Sequence, residues 1–142
     1  MHHVAIMKKS WGLIPKILSG KKTMESRWYQ TKRAPWDKIS AGDTVFFKNS
    51  SELVTAKAIV STVMQFKIET VGDAVHIIKR YGKKICLVNN NPATWSKLPK
   101  YCILLGLRNA QPIKIPFQIN KQGFGNGAAW LTVKNITIIR PS

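Results

Sequence analysis

The sequence predicts an α+β fold: a small, mixed, partly closed β-barrel with short helices closing its ends. Three observations carry that expectation. Short apolar runs recur through most of the chain, helical periodicity is confined to two stretches, and clusters of Gly, Asn, Asp and Pro separate the segments. At 142 residues, 44% of them hydrophobic, the chain is long enough to bury one core, and no linker, repeat or composition shift divides it. Residues 1–142 are therefore read as a single domain. Closing the sheet on itself would also remove the edge strands through which such chains aggregate.

Val4-Ala5-Ile6-Met7 suits a buried strand that Lys8-Lys9 would end. Ser10 is placed to cap a helix in which Ile14, Ile17 and Leu18 recur at helical spacing. Pro15 is tolerated in its first turn and Gly20 is a natural stop. Thr23 to Tyr29 reads as extended and enters a loop at 30–36. A turn at Ala41-Gly42-Asp43 leads into an expected strand from Thr44 to Lys48. Asn49-Ser50-Ser51 then reverses the chain into a long strand from Leu53 to Phe66, where Val54, Ala56, Ala58 and Val60 alternate with more polar neighbours. Val71 to Tyr81 has the pattern of a helix with Val75 and Ile78 inward and Gly82 at its end, and Asn89-Asn90-Asn91-Pro92 is a loop. The remaining expected strands are Tyr101 to Leu107, Ile113 to Ile119 and Trp130 to Ile139, the last two joined by a glycine-rich connection at 120–127.

Charge is the unusual quantity. Lys and Arg number 23 against 6 Asp and Glu, a formal net charge of +17. Self-repulsion on that scale disfavours the compact state, so a polyanionic partner is its natural explanation. Five Trp and three Tyr accompany the cations, as a surface that tracks phosphates and stacks bases requires. RNA or another nucleic acid is thus the expected partner, with charge for solubility or ribosome association as the plainer reading. Cys86 and Cys102 lie far apart with no metal-ligand pattern near them, and Cys102 sits in an apolar run that suits a reduced core thiol. No stretch has the length and apolarity of a membrane span, and none has the pattern of a signal peptide. A soluble, cytoplasmic protein without metal, other cofactor or membrane is expected. His2 and His3 receive no functional weight.

The segment from Gly20 to Arg27 carries the most chemistry, because Glu25 is one of so few acids and stands among Lys21, Lys22 and Arg27. On a strand, Thr23, Glu25 and Arg27 share one face and Lys22 and Met24 the other. A carboxylate that accepts from exocyclic amines, beside a guanidinium fork, suits a nucleobase edge. It equally suits an internal ion pair.

The order of residues here resembles the ASCH family, a branch of the PUA-like barrels related to the YTH and EVE domains. The resemblance rests on Ile17-Leu18-Ser19-Gly20, Lys22-Thr23, Glu25 and Arg27, then on Trp36, Ile39, Gly42-Asp43 and the apolar strand after them. It continues through the strand from Ala56 to Val63, the strand from Tyr101 to Leu107, and Pro112-Ile113. It implies a barrel with a helix at one end, a cleft beside Gly20 to Arg27, and binding of RNA or modified nucleosides. A few relatives are hydrolases or ribonucleases. Those that deacylate a modified cytidine use a Lys, a Thr and a Glu. Lys22 matches that Lys, but Glu25 occupies the Thr position and Thr23 lies two residues earlier, about 7 Å along a strand.

The sequence therefore leaves two functional classes open. As a binding domain, Thr23, Glu25 and Arg27 would recognise the base of a single-stranded or modified nucleotide. Lys21, Lys22, Lys32 and Arg33 would meet phosphates, and Tyr29 or Phe124 would stack. As an enzyme it would be a metal-independent ribonuclease or a modified-nucleoside hydrolase, with Lys22, Thr23 and Glu25 as the catalytic set. The acids are too scattered for a metal-dependent nuclease. The glycine-rich loop is no P-loop, since no Gly-Lys-Ser/Thr follows it.

Overall fold

The computed structural model describes residues 1–125 and 127–141. Among them six strands form one mixed sheet: β1 (His2–Met7), β2 (Met24–Tyr29), β3 (Thr44–Asn49), β4 (Val54–Lys67), β5 (Tyr101–Phe117) and β6 (Trp130–Val133). Their order is β2-β5-β4-β3-β1-β6, with β1 and β3 parallel and the other pairs antiparallel. The sheet curls into a half-barrel that stays open, which corrects the expected closure. β6 spans only Trp130–Val133 and takes the free side of β1, leaving β2 with no strand to pair on its outer edge. A side chain bridges the gap instead: Arg27 on β2 donates to the carbonyls of Ile6 (3.4 Å) and Ala129 (3.2 Å).

Over the first half of β5 both faces of the sheet are covered and Cys102-Ile103-Leu104-Leu105 is an unbroken apolar run, whereas β4 alternates between buried and more exposed residues. Ala5, Val45, Phe47, Ile103 and Leu105 point inward, where the short helix α1 (Leu13–Leu18) adds Leu13, Ile14 and Ile17. The alternate residues Cys102 and Leu104 point outward under the second helix, α2 (Val71–Ile85), which contributes Ala74, Ile77 and Ile85. Helix α2 thus covers an outer face rather than closing an end. On the other side Val4, Phe46 and Leu131 meet Ile136 and Ile139 of the C-terminal segment.

Several local expectations shift for identifiable reasons. Ser10 belongs to a 3-10 turn, Lys9–Trp11, and Gly12 at φ +61° both ends that turn and starts α1. Helix α2 runs through Gly82 to Ile85, begun by a Thr70–Asp73 capping box and ended by Cys86 in the left-handed region. The strands expected at 101–107 and 113–119 are one, because the 14-residue β4 pairs along it and register shifts absorb the irregularity around Pro112. The last strand stops at Val133, since Asn135 caps a 3-10 turn over Ile136–Ile138.

Candidate nucleotide-binding cleft

The open seam of the half-barrel holds a cavity of about 380 Å³, bounded by β2, the end of β1, the turn before α1 and the loop after α2. Gly20 at φ +82° reverses the chain below it, and the next residues are pinned by backbone bonds from Lys22 to Lys16 and from Thr23 to Lys84. The segment reaches the cavity before β2 begins at Met24, so strand alternation does not govern Lys22. Contrary to the expected opposite face, its ammonium turns in toward Glu25.

Three charged side chains meet there. Glu25 is 3% exposed and Lys22 2% exposed. Glu25 Oε1 accepts from the Ser26 N–H at 2.8 Å and lies 3.5 Å from Lys22 Nζ, which also donates to the Ile85 carbonyl. Glu25 Oε2 lies 3.7 Å from Arg27 Nη2 but accepts no hydrogen bond, although it is fully shielded from solvent. Two cations around one carboxylate leave local positive charge, and the carboxylate keeps an unused acceptor. Burying such an oxygen without a hydrogen bond costs about 1–3 kcal/mol, part of which the Arg27 charge at 3.7 Å offsets, so a further donor would be favoured there.

Aromatic rings form much of the wall. Trp28 and Trp95 meet edge to face with centroids 5.2 Å apart, and their indole N–H groups are given to Ser26 Oγ and the Asn89 carbonyl. Tyr29 also lines the cavity and carries the Arg33 guanidinium 5.3 Å above its ring. Behind Arg27 a polar chain runs into the core. Its guanidinium lies 5.1 Å from the Trp130 ring, the Trp130 indole N–H donates to His3 Nδ1 at 3.2 Å, and His3 Nε2 meets Asp43 Oδ2 at 2.8 Å. Trp130 is only a donor, so Nδ1 accepts and Nε2 carries the proton. Burial pushes the His3 imidazole below its ordinary pKa, against the opposing pull of Asp43.

The structure thus brings Lys22, Glu25, Arg27 and Tyr29 to one cavity, while Arg33 is exposed, sits over the Tyr29 ring and does not line the cavity. Lys21 and Thr23 are exposed beside it and do not line it. Lys32 is exposed near the rings of Trp36 and Tyr101. Phe124 is half-buried against the Val4–Phe46–Leu131 cluster and does not line the cavity. Trp36 is buried against Tyr101. Sequence reasoning passed over Trp11, Trp95, Leu87 and Val88 as wall residues, and gave His3 no role although it is fully buried. Among the described residues no group of three or more His, Cys, Asp or Glu could hold a metal ion, and no helix is long and apolar enough to cross a membrane.

An open, mixed half-barrel with one helix inside the curl and one outside is the architecture of a small PUA-like α+β fold. More particularly it is an ASCH-domain fold, as the likeness to crystal structures of the ASCH protein of Zymomonas mobilis shows. The TM-score is 0.66 at 18% identity, over 94% of this chain and 87% of that one. A tyrosine-to-phenylalanine variant of the same protein gives 0.69 at 18% identity, over 96% of this chain and 93% of that one. A serine-to-alanine variant gives 0.66 at 20%, over 96% and 91%. No protein-family model and no curated protein matches the sequence.

Proposed function

We propose that residues 1–142 act as one cytoplasmic RNA-binding domain that holds a single-stranded or modified nucleotide in the cleft at the seam. The observation that carries this reading is the unused Glu25 Oε2, buried at a cavity of nucleotide size and walled by aromatic rings. An exocyclic amine of a base would supply the missing donor. Lys22 and Arg27 hold the carboxylate in place, Tyr29 offers a stacking face, and Lys21, Lys32 and Arg33 meet phosphates outside. Lys9, Lys22 and Arg27 stand in ion pairs with Glu52 and Glu25, and because 23 Lys and Arg face only 6 Asp and Glu, positive charge remains in large excess for a polyanion. An ASCH fold is consistent with nucleic-acid binding in general.

The hydrolytic alternative would make Lys22 a base, yet Lys22 donates to the Ile85 carbonyl and Thr23 stands outside the cavity. That arrangement suits holding a nucleotide better than cutting one. Labelled single-stranded RNA separates the two. Binding predicts retardation that weakens steeply between about 50 and 200 mM salt and leaves the RNA intact. RNA shortened in the presence of EDTA, with the shortening lost in Lys22→Ala, would establish the enzyme. No retardation and no cleavage at low salt would end the nucleic-acid reading.

A further inference from the structure

We infer that Trp11 is a stacking platform for a second base, so that the cleft takes a base within a strand rather than a free nucleoside. This rests on the nucleotide reading of the cleft. Among the described residues Trp11 is the only exposed aromatic side chain, at 45%, and it stands on the wall of the cavity that holds the vacant Glu25 oxygen. The other tryptophans are covered to a greater degree: Trp36 and Trp130 are buried, and Trp28 and Trp95 lean on each other.

The exposure is built, not incidental. Trp11 closes a 3-10 turn in which its own N–H bonds to the Lys8 carbonyl and that of Gly12 to the Lys9 carbonyl. Gly12 then takes φ +61°, and Leu13 anchors the next residue in the core. The backbone under the ring is fixed on both sides, while the ring joins none of the three apolar clusters. A rigid indole held out to solvent loses apolar burial, and the Lys8 ammonium near its ring does not replace that burial. A stacked base would restore that burial for any sequence, because every base has a π-face. Lys8 Nζ lies 5.9 Å from the ring centroid, where a cation can meet the phosphate joining the two nucleotides.

Two hexanucleotide RNAs test the inference: an unmodified one, and one of equal charge in which a single base remains and five residues are abasic. Stacking at Trp11 predicts that the wild-type protein prefers the full hexamer and that Trp11→Ala weakens its binding about tenfold or more. The variant should bind the two hexamers equally, Trp11→Phe should keep most of the affinity, and the salt slope should not change because no phosphate contact is lost. Melting of Trp11→Ala at the wild-type temperature would confirm that the fold is intact. An unchanged affinity for the full hexamer, a preference that survives the substitution, or a salt slope reduced by about one would overturn the inference. If the wild-type protein binds neither hexamer, the nucleotide reading of the cleft falls and this inference with it. If Glu25→Gln abolishes binding while Trp11→Ala leaves it untouched, the cleft reading stands and only the second base is lost.

Discussion

Replacing Glu25 by Gln keeps the shape of the side chain and removes the only negative charge between Lys22 and Arg27. At separations of 3.5 and 3.7 Å each attraction amounts to roughly 4–5 kcal/mol at an effective dielectric of about 20. The cost of burying the carboxylate cancels the greater part of this. What remains is the penalty of leaving Lys22, 2% exposed, without its counter-charge. The Ile85 carbonyl still accepts from Lys22, and Arg27 keeps its two carbonyl partners, so the net loss should fall below the roughly 3–5 kcal/mol of a broken buried pair, at about 2 kcal/mol. Over 142 residues that lowers Tm by about 7 °C, readable by circular dichroism. Adding Lys22→Met should recover part of the loss, giving a coupling of about 1 kcal/mol or more in the double-mutant cycle. RNA affinity should fall in both variants. A Tm within about 1 °C of wild type, or strictly additive effects, would show that the three side chains do not act as a unit. Unchanged affinity for every RNA tested would reduce Glu25 to a structural role.

Acid should destabilise the fold in two stages. Folding holds the His3 imidazole below 6.5, chiefly through burial, so stability is full above that value and falls as pH drops toward the folded-state pKa. Burial alone would raise the Asp43 carboxyl, but His3, the Ser40 N–H and the amino terminus outweigh it, and a further loss follows below 3.8. A urea midpoint that stays constant from about pH 8 to pH 4 would contradict the first stage, and one that stays constant from about pH 4 to pH 2 the second. Arg27→Lys should cost about 1–2 kcal/mol, because an ammonium cannot reproduce a fork that reaches the Ile6 and Ala129 carbonyls and also faces Trp130, and an unchanged unfolding midpoint would refute it. Of the two thiols, the half-buried Cys86 should react with a thiol reagent in the native protein. Cys102, fully buried and pushed well up by its surroundings, should react only on unfolding; two fast-reacting thiols would refute this.

Much of the fold was legible because its signals are local. The Gly20 stop, the Asn49-Ser50-Ser51 reversal and the alternation of Val54, Ala56, Ala58 and Val60 all stand where the residues place them. What escaped depends on pairing partners. The join of 101–107 to 113–117 is made by β4, and the open seam is set by the shortness of β6. At the site, Glu25 and Arg27 share a face as strand alternation requires, whereas Lys22 joins them because the strand has not yet begun. Trp95 and Val88 arrive from a loop distant in sequence, and the role of His3 appears only when Trp130 and Asp43 come beside it. Trp11 carried a signal, an aromatic just before a glycine and outside any apolar period, but its meaning depends on the cavity beside it.

A barrel fastened by a side chain differs in one practical respect from a barrel fastened by strand pairing. Strand pairing spreads the join over a ladder of backbone bonds that no solute displaces. Here the clasp is the Arg27 guanidinium, which bonds two carbonyls and itself lines the cleft, within reach of whatever enters it. An occupant that recruits this group takes it from the clasp, whereas one that engages only Glu25 leaves the clasp shut. Amide exchange along β1 and β6 would then record how a ligand is held as well as whether it is held, turning the weakest point of the wall into a gauge of its contents.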